Sequence, residues 1–233
     1  MKNTSFPFLS SPYSIGDMRL KNRMVMSPMT TAYCNDDQTP SERLMRHFEE
    51  RARGGIGMII TELITVDETH RYMHRSMTLA DDRYVELHRE LTDRIHAHGA
   101  KILPQISHTG PESVAPMFGG PQTVGPSVAV APVWGWASRE LDIAELPAIA
   151  IQYGEAARRA REAGYDGMEL HGAHCYNLIG SFLSPLRNKR TDDYSAFKAE
   201  TRTRFVTEVM AEIRARAGED FPVVFSISGY ERM

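Results

Sequence analysis

The residues of this chain that could do chemistry are densest in the segment HGAHCYN, which runs from His171 to Asn177. Two histidines three residues apart on a tight turn can both point at one carbonyl oxygen and donate hydrogen bonds where negative charge develops. The nearby Tyr176 can deliver a proton. We therefore predict that His171, His174 and Tyr176 are catalytic and that they serve an acid-assisted reduction. A lone histidine would more often satisfy a backbone group, so the prediction depends on the clustering.

The same segment contains potential zinc ligands, because His171, His174 and Cys175 offer nitrogen and sulfur atoms. No carboxylate lies inside the cluster, and the adjacent His174 and Cys175 would need awkward geometry to share one ion. We therefore predict no metal site here. A metal-dependent aldolase-type or hydrolytic barrel stays open as an alternative function.

Two other segments place polar residues where predicted strands end. LPQISHTG contains Gln105, whose amide can pair with an amide-like heterocycle, and NRMVMSPMT contains Pro28, Met29 and Thr30, of which Thr30 can donate from its hydroxyl. Each signal is weak alone, since Gln105 could satisfy a strand end and Thr30 could begin a turn. Together with the histidine segment, these two segments place polar residues at the ends of three predicted strands, which we expect to lie close together.

The elements that must position these residues alternate between apolar runs and amphipathic stretches, which predicts strand–helix units and a parallel sheet. The predicted strands lie near Met24–Met29, Met58–Val66, Lys101–Ser107, Gly167–Gly172 and Val223–Ser228. The predicted helices lie near Ser41–Arg53, Asp82–His98, Leu146–Ala163 and Thr201–Ala217, and are ended by Gly54, Gly99, Gly164 and Gly218. The proline-rich stretch from His108 to Asp142 is predicted to be a long βα loop, of a length that is often functional.

Composition limits the classes of partner. The 233 residues suffice for one domain, and the net charge of −3 comes from 27 basic and 30 acidic residues mixed along the chain. No basic block favours nucleic acid or a membrane surface, and we find no signal peptide or apolar run of about 18 residues. Two cysteines, Cys34 and Cys175, are too few for a disulfide scaffold. We expect a small-molecule partner, no nucleic acid or membrane partner, and a cytoplasmic location.

Five segments in fixed order, NRMVMSPMT, IITE, QISHTG, HGAHCYNLIGSFLSP and RNKRTDDY, resemble the old yellow enzyme family, especially its branch of 2,4-dienoyl-CoA reductase-like NADH:flavin oxidoreductases. The resemblance runs from about Leu20 to the end, and the fourth segment followed by the fifth is its most specific part. It implies an α/β fold of the (β/α)8 TIM-barrel type with FMN at the C-terminal ends of the strands. It also implies NAD(P)H as reductant and an α,β-unsaturated carbonyl or enoyl compound as substrate.

The resemblance also assigns roles to residues. His171 and His174 would bind the electron-withdrawing group of the substrate, and Tyr176 would protonate the α-carbon while reduced FMN passes hydride to the β-carbon. Glu62 would contact the flavin through its backbone. The complete set of implied flavin contacts is Pro28, Met29, Thr30, Glu62, Gln105 and Ser226.

Two positions depart from the family pattern. Where the family carries an arginine on the fifth strand, this chain has Ser226, so a cationic flavin contact is missing. The family motif D-x-Y-G-G reads Asp192-Asp193-Tyr194-Ser195-Ala196, which replaces a flexible glycine turn.

A complete barrel needs about 250 residues, so we expect residues 1–233 to be its N-terminal portion, with about the first five β/α units present. The loops after strands seven and eight, which commonly hold the phosphate, would be absent. An iron–sulfur cluster and FAD would occur only in a longer parent protein. We expect the chain either to self-associate or to need the missing barrel half. A non-catalytic remnant that binds a ligand or partner is the alternative.

Overall fold

A computed structural model describes residues 5–231 of the chain. The strands among these residues are β1 (Tyr13–Ile15), β2 (Met18–Leu20), β3 (Val25–Met26), β4 (Met58–Thr65), β5 (Met77–Thr78), β6 (Lys101–Ser107), β7 (Val124–Gly125), β8 (Arg139–Glu140), β9 (Met168–Gly172) and β10 (Val223–Ile227). The α-helices are α1 (Glu42–Arg53), α2 (Val85–His96), α3 (Leu146–Glu162), α4 (Leu178–Leu183), α5 (Ala199–Arg202) and α6 (Arg204–Ala217). No helix in the described part is both long and apolar enough to cross a membrane.

The main sheet is parallel and its strands follow chain order, β3-β4-β6-β9-β10, with β5 paired to β4. Each of these five strands is separated from the next by helical segments, and neighbours in sequence are neighbours in space, as in a barrel. Within residues 5–231 the sheet is open, because β3 and β10 each pair on one side only. The predicted TIM-barrel type with about five β/α units is therefore confirmed.

The core has two layers, one on each face of the sheet. The larger layer lies between the sheet and α1, α2, α3 and α6, and it contains Ile59, Ile102 and Leu170 from successive strands. The smaller layer lies on the other, concave face, where Met18 and Leu20 of the β1–β2 hairpin pack with residues of β4 and β6. The hairpin therefore covers part of the face that becomes the inside of a closed barrel.

A β-bulge interrupts the pairing of β4 with β6. Ile60 pairs with Leu103 and Leu63 pairs with Gln105, so Thr61 and Glu62 together lie opposite Pro104. Proline has no N–H to donate to the ladder, and strand prolines occur at bulges for this reason. The extra residue leaves the backbone at Glu62 outside the regular ladder and shifts the alternation of faces along β4.

Several predicted boundaries were wrong. The first strand spans only Val25–Met26 because the chain leaves the sheet before Pro28, and the last helix is divided at Thr203 into α5 and α6. Gly54 ends α1 at an ordinary φ of −66°, and the left-handed residue is Gly55 at +99°. The hairpin β1–β2, the short β5 and the site helix α4 were not predicted.

The segment from 108 to 142 connects β6 to the helical turn Ile143–Glu145 that precedes α3, and it is more ordered than predicted. It contains 3-10 turns at Gly110–Glu112 and Ala115–Phe118, and β7 pairs with β8 inside it. Gly110 has a φ of +59°, and a Cβ there would lie 2.8 Å from the Leu178 backbone. The start of the segment is thus packed tightly against α4.

Candidate active site

Gln105, Glu169, His171 and Ser226 lie together on the concave face of the sheet. Side chains alternate between the two faces of a strand, and the adjacent residues Ile106 and Leu170 point into the helix-side core instead. Glu169 Oε1 accepts hydrogen bonds from Gln105 Nε2 at 2.8 Å and from Ser226 Oγ at 3.0 Å. The strand register brings Ser226 to this group, because β10 pairs Ser226 directly with His171 of β9.

The directions of these hydrogen bonds follow from counting protons. Ser226 has one hydroxyl proton and donates it to the Glu169 carboxylate, so its oxygen accepts from His171 Nδ1 at 3.2 Å. The proton of neutral His171 is then on Nδ1, and Nε2 accepts from the Tyr176 hydroxyl at 2.9 Å. Burial first, and the charge of His174 second, lower the pKa of His171 to about 4, which keeps the ring neutral.

The turn after β9 brings the three predicted catalytic residues together. The rings of His174 and Tyr176 stack with their centroids 5.7 Å apart, and the His171 ring lies 5.8 Å from that of His174. Asn177 is the N-cap of α4: its Oδ1 accepts from Gly180 N, and its Nδ2 donates to Ala173 O, both at 2.8 Å. One buried side chain therefore ties the helix to the turn.

The two ends of this turn differ in environment. Burial raises the pKa of the Tyr176 phenol above its ordinary value, so the group stays protonated at neutral pH. His174 is exposed, has a left-handed φ of 71°, and its backbone N–H donates to Ser228 Oγ at 2.7 Å. Its ring forms no side-chain hydrogen bond within the described part of the chain. His174 is thus a free donor at the mouth of the site.

Residues 28–30 follow β3 at the edge of the sheet, apart from the histidine group. Met29 is 63% exposed, whereas Pro28 and Thr30 are half-buried. The Glu62 side chain is buried and turned away from the concave face: its Oε2 accepts from the backbone N and hydroxyl of Thr31, both at 2.7 Å. Only the Glu62 backbone, loosened by the bulge, is left to face a ligand.

Three potential metal ligands, Asp67, His70 and His108, lie within 4.8 Å of one another in the described chain. His108 Nδ1 accepts from Gly110 N at 3.0 Å, so the proton of neutral His108 is on Nε2, the atom that faces Asp67 at 4.0 Å. A protonated nitrogen cannot ligate a metal, and this hydrogen-bond pattern fits a carboxylate–histidine network. The histidine–cysteine set considered from the sequence does not form such a group among the described residues.

The turn formed by residues 192–196, in which the resemblance predicts two glycines, closes without them. Asp192 O accepts from Ser195 N at 3.0 Å, and Asp192 Oδ1 accepts from Tyr194 N at 2.9 Å. Neither Ser195 nor Ala196 has a positive φ, so glycine is not required at either position.

Two features of the site were missed from the sequence. Glu169 lies two residues before His171 in a strand, so the period-2 alternation could have placed it on the same face. A cavity of about 360 Å³ beside Tyr176 was also missed; it is lined by Tyr72, Met73, Glu112, Pro132, Val133, Trp134, Tyr176 and Arg187. These residues come from distant parts of the chain and are brought together by the fold of the long loop. No sequence pattern within one segment could therefore have indicated the cavity.

Comparison with known proteins identifies the family and the fold. Residues 9–233 match the NADH:flavin oxidoreductase / NADH oxidase family. The chain is 41% identical over 229 residues to an NADH oxidase from Thermoanaerobacter brockii and 35% identical over 224 residues to a cinnamate reductase from Clostridium sporogenes. These matches cover 98% and 94% of the chain but only 35% and 34% of the relatives, so the chain spans about a third of their length.

Among solved structures, morphinone reductase in complex with tetrahydroNAD superposes with a TM-score of 0.88 at 28% identity. That match covers 97% of this chain and 65% of the other. The closer relation to the 2,4-dienoyl-CoA reductase branch stays a prediction. The fold, the order of the site segments and the family match together lead to one conclusion: the chain belongs to the NADH:flavin oxidoreductase / NADH oxidase family and has a half-barrel fold like that of old yellow enzyme structures.

Proposed function

We propose that this chain supplies the catalytic face of an FMN-dependent ene-reductase that reduces the C=C bond of an α,β-unsaturated carbonyl compound at the expense of NAD(P)H. The observation that carries the proposal is the 2.9 Å hydrogen bond between Tyr176 and His171, beside the exposed His174. A neutral proton donor and a free hydrogen-bond donor at one strand end suit the addition of a proton to an activated alkene.

The donor set fits the ring system of a flavin. Gln105 has its amide oxygen free of hydrogen bonds within the described residues, the Glu62 backbone lies at the bulge of the neighbouring strand β4, and the Thr30 hydroxyl lies in the segment that follows β3. These are amide-type donors and acceptors of the kind that a pyrimidine-like ring edge requires. The flavin ring would be held by Pro28, Met29, Thr30, Glu62 and Gln105. Ser226 would contact the ring from β10, next to His171. When bound, FMN supplies the hydride that adds to the β-carbon.

The chain's own residues then divide the remaining work. His174 donates to the carbonyl oxygen of the substrate, where negative charge builds up. Tyr176 transfers its phenolic proton to the α-carbon. With its proton on Nδ1, His171 holds the Tyr176 hydroxyl through Nε2 in the resting state, so His171 can donate to the substrate carbonyl only after its ring changes tautomer. This modifies the expectation that both histidines act on the carbonyl from the start.

Two measurements test the proposal on the protein that carries this chain. The purified protein should show a flavin absorbance band that NADH or NADPH bleaches without oxygen. Addition of 4-phenylbut-3-en-2-one should restore the band and yield the saturated ketone. A flavin that is reduced but never reoxidised by activated alkenes would contradict the ene-reductase assignment. A pure, folded protein without flavin would favour the non-catalytic remnant.

A further inference from the structure

The cavity beside Tyr176 contains an unusual buried carboxylate. Glu112 is 6% exposed, and its Oε1 accepts from Arg187 Nη2 at 2.9 Å. Its other oxygen, Oε2, is buried without a hydrogen-bond partner among the described residues. An unsatisfied buried acceptor costs about 1–3 kcal/mol, more for a charged group, so such an atom marks a place where a donor is expected.

The walls of the cavity are apolar and aromatic. Trp134 forms one side and is stacked on Trp136, with ring centroids 5.7 Å apart. Tyr72 forms another side and stacks on the proposed proton donor Tyr176 at 5.9 Å. A cavity of about 150 Å³ accommodates benzene, so this one, at about 360 Å³, has room for a ring with a side chain.

The charge pattern selects the polar group of the ligand. Arg187 already neutralises Glu112 and would repel a ligand ammonium group. A neutral hydroxyl can donate to Glu112 Oε2 once a small rotation of the carboxylate turns this buried oxygen to the cavity, and it disturbs neither charge. Burial raises the pKa of Glu112 against the opposing effect of Arg187, consistent with a carboxylate that gains from one more donor.

We infer that this cavity is the specificity pocket of the enzyme and that it takes a substrate with an aromatic ring bearing a hydroxyl group at the end away from the alkene. The ring would lie against Trp134, with its hydroxyl on Glu112 Oε2 and the alkene towards Tyr176. The inference rests on the proposed function for the statement that the ligand is a substrate. The cavity and the Glu112 oxygen that has no partner among the described residues are observed independently of that function.

The test uses two saturated ketones, 4-(4-hydroxyphenyl)butan-2-one and 4-phenylbutan-2-one, which differ only in the hydroxyl. Trp134 is an internal reporter, so binding is followed by tryptophan fluorescence, and the signal should be lost in Trp134→Phe. We expect the hydroxylated ketone to bind about tenfold more tightly, as for one hydrogen bond to a charged group. In Glu112→Gln this preference should fall below about twofold.

Glu86→Gln is the matched control, because its side chain is 79% exposed on α2, and it should keep the preference. Equal affinities in the unmodified protein would overturn the inference without needing any variant, and would indicate that water satisfies Glu112. A preference that persists in a folded Glu112→Gln protein would also overturn it. Neither ketone contains an alkene, so a failure here is distinguishable from a failure of the proposed reduction.

Discussion

Ser226 occupies the position at which the family resemblance predicts an arginine, and in this chain it links the Glu169 carboxylate to His171. We expect Ser226→Ala to remove the acceptor for His171 Nδ1, so that both tautomers of the ring are populated and Tyr176 is held less often. The rate of alkene reduction should fall about tenfold, the effect of losing one hydrogen bond, with KM little changed.

Stopped-flow oxidation of the reduced enzyme by 4-phenylbut-3-en-2-one measures this step. Ser226→Thr retains the hydroxyl and should restore most of the rate, a rescue that a merely structural role would not predict. Ser14→Ala, on the exposed strand β1, is the control. A Ser226→Ala enzyme with an unchanged rate would exclude the positioning role.

Tyr176→Phe removes the phenolic proton and keeps the ring that stacks on His174. We expect alkene reduction to slow by about 100-fold or more, in the range for general acid catalysis, while reduction of the flavin by NAD(P)H is unaffected. The two half-reactions are separated by stopped-flow absorbance, with Tyr13→Phe, 48% exposed, as the control. The opposite pattern of rates would refute the proton-donor role.

At the scale of elements, Asn177 joins α4 to the turn that carries His174 and Tyr176. It is fully buried and makes two side-chain hydrogen bonds of 2.8 Å. Asn177→Ala removes the helix cap and leaves buried backbone groups unsatisfied, so we expect a loss of about 2 kcal/mol in the free energy of unfolding. Urea denaturation measures it. Asn35→Ala, in an exposed loop, should change stability by less than about 0.5 kcal/mol.

Helix α2 carries the buried His88, whose Nε2 donates to Thr78 O at 3.2 Å and whose Nδ1 accepts from Tyr165 at 2.8 Å. Burial lowers its pKa from 6.5 to about 4. Because the folded pKa is the lower one, the unfolded chain binds more protons between these values. Stability is complete above about pH 6.5 and is lost as the pH falls towards 4.

His88 alone should contribute a loss on the order of 2 kcal/mol between pH 7 and pH 5. We expect His88→Gln, which keeps a donor and an acceptor, to reduce the pH dependence of the free energy of unfolding by that amount, as measured by urea denaturation. Leu87→Gln, at an exposed position on the same helix, introduces the same amide without removing a titratable group and should leave the pH dependence unchanged. An identical slope in the His88 variant would show that this histidine does not titrate on unfolding.

At the scale of the whole molecule, the open sheet exposes apolar side chains at its last strand. Phe225 is 39% exposed and Ile227 is 60% exposed on β10, whose outer edge has no strand partner in the described chain. Unpaired apolar edges attract other strands. We predict that the 233-residue chain, expressed by itself, associates in a concentration-dependent manner, as sedimentation velocity would show.

A lysine on this edge should oppose pairing, so Ile227→Lys is expected to reduce the association. Leu87→Lys, also at an exposed apolar position but on α2, should not. A monomer at every concentration would contradict the prediction for the unmodified chain. Because Ser226 replaces the arginine that the resemblance implies and the phosphate loops would be absent, we also expect this chain to retain flavin weakly. The flavin absorbance of each species in the same experiment measures the retention.

The sequence by itself determined the fold class, because the alternation of apolar runs with amphipathic stretches can be seen directly in the order of the residues. It also indicated the HGAHCYN segment, since three chemically active residues lie within six positions of the chain. Tertiary structure decided the direction of the hydrogen bonds. Whether His171 faces a substrate or Tyr176 depends on Glu169 and Ser226, which only the pairing of β9 with β10 brings together.

Tertiary structure also decided which atoms of Glu62 and Glu112 are left without partners and could contact a ligand. The bulge that frees the Glu62 backbone lies opposite Pro104 of the neighbouring strand. The sequence of β4 alone therefore could not predict the bulge. Glu112 and Arg187 are 75 residues apart, and their contact depends on the folding of the loop onto α4. Local periodicity predicts which face a residue occupies, but contacts between distant segments depend on packing that one segment alone does not encode.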